Sequence, residues 1–326
     1  MNIMRLSMAL PTVKSRVFCA AGAILMIALA AASLFVGKYP LTLEGLLSGD
    51  VMQLRVFWTL RASRTAVGVI GGFAYQTVFR NPLASPDVIG VSSGASAGAA
   101  AGILFLSGAA AVTASAFAGA LAAVVLALAL SSLDRAGRNG TIVLAGIAVH
   151  ALAQTALMCL KLTADPEREL ASIEYWIMGS LNGISGYSIG VNLLLCLLCV
   201  SALFLLHRQI LLLSAEEGEA RMLGADVGRL RLAVLLLATL AVSCVVSLSG
   251  LISFVGLLAP HGARLLTKRN RVGTMLLGGM LGSILLTGAD ILARSVSSTE
   301  LPVSIFTSLL GAPFLIFLII RGRQRA

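Results

Sequence analysis

Few side chains in this sequence can carry charge or hold a metal, and most that can are spaced in a meaningful way. Arg61 and Arg64 are three apart, and Asp290 lies four residues before Arg294. On a helix these spacings put each pair on one face, so Asp290 and Arg294 are expected to form an ion pair. Ser214 and Glu217 make a capping-box pattern that opens a short helix, with Gly224 placed to end it. Cys196 and Cys199 also share a helix face, but a thiolate metal site needs more ligands and a place that tolerates charge, so small apolar packing is expected for them. His150 sits alone in an apolar run, where a helix-packing hydrogen bond is the expectation. His261 and Arg264 follow Pro260, and a single histidine there makes no metal site. No nucleophile with a paired base appears, which argues against an intramembrane enzyme.

The elements that must position these groups are membrane helices. Of 326 residues, 58% are hydrophobic and 12% charged, with mean hydropathy +0.97. Apolar runs recur at about 17–37, 92–107, 110–130, 141–160, 189–206, 232–248, 250–259, 273–289 and 303–320. Most are long enough for a helix across a hydrocarbon core of roughly 30 Å. The runs are continuous rather than alternating, which favours helices over a barrel. The expectation is an all-α polytopic transmembrane bundle of about ten helices, a single domain over 1–326, with no stretch left for a soluble catalytic domain. The first run follows Arg5, Lys14 and Arg16 and reads as a retained helix rather than a signal peptide.

The net charge of +10 would suggest nucleic acid in a soluble protein, but here its distribution is the informative part. With ten spans and both termini in the cytoplasm, about 17 of the 24 basic residues fall on the cytoplasmic side. The opposite side keeps Lys38, Arg55, Arg61, Arg64, Lys161, Arg168 and Arg294. The segment "GKYPLTLEGLLSGDVMQLRVFWTLRASR" reads as an external amphipathic stretch. The second span, between Arg64 and Arg80, looks short for a full crossing, with snorkelling arginines, a locally thin bilayer or a non-helical entry making up the difference.

After that span comes "VFRNPLASPDVIG". Pro82 and Pro86 remove backbone donors, so helix 2 ends near Asn81 and helix 3 cannot start before Pro86. The "GVSSGASAGAAAG" that follows lets helices approach closely. Later, Gly250, Gly256 and Pro260 are expected to break or bend a helix.

Taken in order, "RASR", "QTVFRNPLASPDVIGVSSGASAG", "LAGIAV", "YWIMGSLNG", "ARMLGADVGRLR", "GLISFVGLLAPHGARLL", "GADILAR" and "ELPVSIFTSLLGAPFLIFLI" resemble the FecCD family of bacterial ABC-importer permeases for iron chelates, haem and vitamin B12. The resemblance covers nearly the whole chain. It implies a type II importer permease in the inner membrane that pairs with a second permease subunit, is driven by two ATPase subunits and receives cargo from a substrate-binding protein. A large iron chelate such as a ferric siderophore is the expected cargo, with haem or B12 as alternatives and an ion-coupled secondary transporter as the competing class. By the same resemblance, Arg61, Arg64 and Arg294 are sockets for acidic residues of the binding protein. Glu216, Glu217, Glu219, Arg221 and Gly224, within a cytoplasmic loop at 215–231, contact the ATPase. Gln76, Arg80, Asn81, Pro82, Pro86, Ser92 and Ser93 lie along the path or its gate. The chain has no Walker-type segment, so ATP hydrolysis is expected on the partners, and no cofactor is expected. Two departures from the family pattern are Ala62 and Ser63, where a proline is usual, and a second span about two helical turns shorter.

Overall fold

The computed structural model describes residues 13–78, 90–133, 141–182, 184, 187–212, 227–267, 272–297 and 299–323. Among them the secondary structure is helical. α1 (Val13–Phe35) leads through α2 (Leu43–Leu47) and α3 (Val51–Val56) into a π-helical turn at Phe57–Ala62 and then α4 (Ser63–Val78). α5 (Val91–Phe105), α6 (Ala109–Ser132), α7 (Thr141–Thr163), α8 (Glu169–Ile177), α9 (Tyr187–Leu205) and α10 (His207–Leu212) follow. The chain closes with α11 (Val227–Ser249), α12 (Val255–Thr267), α13 (Val272–Ser295) and α14 (Val303–Arg323). Ten of these helices run 13 residues or longer, matching the expected spans, and five are long and apolar enough to cross a bilayer by length and composition.

Small residues bring the helices together. On α5, Gly94, Gly98 and Gly102 recur every fourth residue and face Gly119 and Ser115 of α6; a Cβ at Gly98 would collide with the Ser115 carbonyl. In lipid there is no water to expel from between helices, so close backbone approach and the van der Waals contact it permits hold such a pair together. A second crossing joins α4 to α13. A Cβ at Gly72 would collide with the Ser283 backbone, and the Ser283 hydroxyl donates to the Val69 carbonyl at 2.6 Å. α11 runs through the core, with Val234, Leu235, Ala238, Ala241, Val242, Cys244, Val245 and Val246 all buried. Cys196 and Cys199 pack in that same core, and Cys196 Sγ donates to the Ala241 carbonyl at 3.6 Å.

The structure corrects two expectations. The stretch before Arg64 is not a separate amphipathic segment, because helical backbone continues from Val51 through the π turn to Val78. The α-helix after the turn is itself 16 residues, as short as the sequence indicates, and the unexpected part is the helical backbone that leads into it. The wider turn is sustained by Ser63, whose hydroxyl donates to the carbonyl of Trp58 five residues back at 3.1 Å. The second correction concerns the broken helix. The break falls at Gly250–Phe254, whereas Gly256 and Pro260 lie inside α12.

Candidate functional site

The two arginines of "RASR" and the arginine of "GADILAR" converge at the end of the bundle that the charge count places outside. Arg64, in the first turn of α4, donates through Nη2 to Asp290 Oδ1 at 2.8 Å and through Nη1 to Glu300 Oε2 at 2.9 Å. Asp290 and Arg294 form the expected i,i+4 ion pair along α13, with 3.2 Å between Oδ2 and Nη2. The same Nη2 donates to the Ser33 hydroxyl at 2.6 Å and to the Ser33 carbonyl at 3.0 Å, which ties in α1. The Ser33 hydroxyl also meets the Thr65 hydroxyl at 2.8 Å.

Arg61, in the π turn, donates to the carbonyls of Val36 and Tyr39 at 2.8 and 3.4 Å. A Cβ at Gly37 would collide with this guanidinium, so only glycine leaves room for it. Three guanidiniums thus face two carboxylates, an excess of one positive charge. All three arginines are buried, with Arg294 only 2% exposed, and Glu300 is the accessible member at 23%. The arginines are therefore braced inside the bundle and do not snorkel. Their spacing gave the Asp290–Arg294 pair, but not the link from Arg64 to two carboxylates more than 200 residues away.

A second junction was not anticipated. The Ser180 amide donates to the Ser249 carbonyl at 2.7 Å, the Val303 amide to the Gly179 carbonyl at 2.9 Å, and the Ser304 hydroxyl to the Leu251 carbonyl at 2.7 Å. The end of α8, the break after α11 and the start of α14 are thereby laced together. Gly179 and Gly250 have φ of 72° and 68°, the left-handed region that glycine enters without strain. Irregular backbone at membrane depth needs such internal partners. Glycines and prolines in all three segments were a sequence signal for non-helical backbone, but not for its mutual pairing.

The gate residues are only partly placed. Arg80, Asn81, Pro82 and Pro86 lie outside the described residues, as do Glu216, Glu217, Glu219, Arg221 and Gly224 of the coupling loop and the capping pair Ser214 and Glu217. Gln76 lies in the last turn of α4. Ser93 is buried and donates to the Gly90 carbonyl at 2.9 Å; the Ser92 carbonyl accepts from the Ser96 hydroxyl at 2.9 Å. Gly90 starts α5 at φ 85° and packs on α7, where an added Cβ would lie 3.1 Å from the His150 amide nitrogen.

His150 itself departs from expectation. It lies near the middle of α7 and its side chain is exposed, with no side-chain hydrogen bond among the described residues. The other two histidines each donate Nδ1–H to a carbonyl one turn back, His207 to Phe204 at 2.6 Å and His261 to Leu257 at 2.9 Å. Among the described residues no group of three His, Cys, Asp or Glu could hold a metal ion.

The profile of the FecCD transport family matches residues 24–321. The cobalamin import system permease protein BtuC of Halobacterium salinarum is 34% identical over 82% of this chain and 73% of its own length. The molybdate import system permease protein MolB of Haemophilus influenzae is 31% identical over 89% of this chain and 91% of its own. Among solved structures, an inward-facing metal-chelate type ABC transporter superposes with a TM-score of 0.81 at 31% identity, covering 93% of this chain and 98% of that one.

Proposed function

Since this chain belongs to the FecCD transport family, and so is a multi-pass ABC-importer permease with no enzyme activity of its own, we propose that it moves a metal chelate across a bacterial inner membrane, paired with a second permease subunit and driven by two ATPase subunits. The observation that carries this reading over an ion-coupled transporter is the state of Asp290. It is the one buried carboxylate among the described residues, and Arg64 and Arg294 both hold it. Proton- or sodium-coupled carriers use intramembrane carboxylates free to change partner or protonation. Asp290 is instead locked between two guanidiniums, Arg64 at 2.8 Å and Arg294 at 3.2 Å. With no other such group in the described spans, the driving energy comes from partner subunits.

Three finer assignments follow from the family resemblance. The surplus positive charge of Arg61, Arg64 and Arg294 favours an acidic docking surface on a substrate-binding protein, acting through the field of the whole cluster rather than as exposed guanidinium forks. Glu216, Glu217, Glu219, Arg221 and Gly224 form the contact with the ATPase. Gln76, Arg80, Asn81, Pro82 and Pro86, with Ser92 and Ser93 at the start of α5, shape the gate.

Copurification with its ATPase subunits, followed by ATPase rates with and without cargo-loaded binding protein, tests the reading. A complex whose hydrolysis responds to the loaded binding protein is expected. Failure to assemble, or uptake by this chain alone under an ion gradient, would overturn it.

A further inference from the structure

Arg64 divides its two outer nitrogens between unequal partners. Nη2 holds Asp290 Oδ1 at 2.8 Å, and that carboxylate is 1% exposed and also faces Arg294 at 3.2 Å. Nη1 holds Glu300 Oε2 at 2.9 Å, and the Glu300 side chain is 23% exposed against 8% for Arg64. Only the second bond can be reached from outside without taking the bundle apart.

The backbone beside Glu300 is fixed. Between α13 and α14 the Leu301 amide donates to the Ala293 carbonyl at 3.0 Å and the Val303 amide to the Gly179 carbonyl at 2.9 Å. What is left to move is the side chain, and exposed side chains change rotamer rapidly. A guanidinium buried without an acceptor is costly, however. Arg61 Nε, Arg64 Nε and both Nε and Nη1 of Arg294 already make no hydrogen bond among the described residues. Departure of Glu300 would add Arg64 Nη1 to these orphaned donors, so the open form is disfavoured until another carboxylate takes the same place. An acidic side chain carried by a partner has the matching chemistry, because the guanidinium fork binds any carboxylate in the same way.

We propose that Glu300 is an exchangeable internal carboxylate: it covers Arg64 while the outer face is empty, and an Asp or Glu of a docking protein displaces it to pair with Arg64 Nη1. This rests on the docking reading given above and deepens it. The field of the cluster steers the partner, and the exchange seats it. One ion pair is broken for each one made, so the net gain is small and docking stays reversible. Asp290 takes no part in the exchange, because its carboxylate is buried between two arginines.

The test measures docking of a substrate-binding protein that stimulates the ATPase of the wild-type complex, using complexes in lipid nanodiscs at low salt. Glu300→Gln removes the competing charge, whereas Glu300→Asp keeps it but draws the carboxylate back by one methylene. Glu174→Gln is the control: Glu174 pairs with Lys161 at 2.8 Å, and its loss raises the charge of the outer side by the same unit without touching Arg64. Both Glu300 variants are expected to dock about three- to tenfold tighter than wild type. Glu174→Gln is expected to stay near wild type. Wild-type affinity in Glu300→Asp, or tightening by Glu174→Gln equal to that of Glu300→Gln, would leave long-range charge as the only cause and overturn the exchange while docking itself stands. A wild-type complex that responds to no binding protein fails the docking reading, and the exchange with it.

Discussion

The outer end of α13 and the middle of α7 treat polar side chains in opposite ways. At the first, Asp290 is 1% exposed, hydrogen-bonded to the α4 guanidinium and ion-paired with the one on its own helix; at the second, the His150 side chain is exposed and makes no hydrogen bond among the described residues. Ionic groups buried in a bundle persist when each finds a partner, because the cost of desolvation is then offset by short charge-assisted bonds. The contrast separates side chains that hold the bundle together from those that the subunit's own packing leaves unused.

The comparison breaks most directly at Asp290. Asp290→Ala strands Arg64 and Arg294 with an uncompensated buried charge, and a loss of about 3–5 kcal/mol is expected. Thermal unfolding of the purified chain in detergent would check it, and an unchanged midpoint would mean that the cluster braces nothing. Next in size is Gly98→Leu, which pushes α5 off α6 where a Cβ would already collide with the Ser115 carbonyl, and it is expected to cost about 1–3 kcal/mol in the same assay.

Glu300→Gln is a gentler variant, since that carboxylate is partly exposed. Its stability cost is expected at about 1 kcal/mol or less. Because the variant raises the cluster's net charge by one, docking of an acidic binding-protein surface should tighten at low salt and return toward wild type as salt screens the field. Equal affinity at every ionic strength would remove the cluster from docking. His150→Ala sits at the other end of the scale: with no internal partner to lose, it should shift stability by about 0.5 kcal/mol or less. A larger drop would make His150 a packing residue after all.

The sequence made the bundle legible because continuous apolar runs and proline or glycine punctuation act locally. The runs at 141–160 and 273–289 emerge as α7 and α13 with small shifts at their ends. The Asp290–Arg294 pair was legible for the same reason, since four residues on a helix is a fixed distance. What was not legible needed the chain to fold back on itself. Nothing in the spacing of Arg64 indicates Glu300, and nothing in "YWIMGS" indicates that its glycine carbonyl receives the Val303 amide. The π turn was hidden as well, because nothing in the residue types at Phe57–Ala62 distinguishes it from an α-helical turn. The orientation of His150 depends on which face of α7 the α5 and α6 helices take, a tertiary choice that helical periodicity alone leaves open.

The central claim is tested most directly by uptake of hemin and of ferrichrome into proteoliposomes containing this chain, its ATPase subunits and its binding protein. The account predicts uptake that requires ATP and the binding protein. Uptake that proceeds on an ion gradient without the ATPase would contradict it.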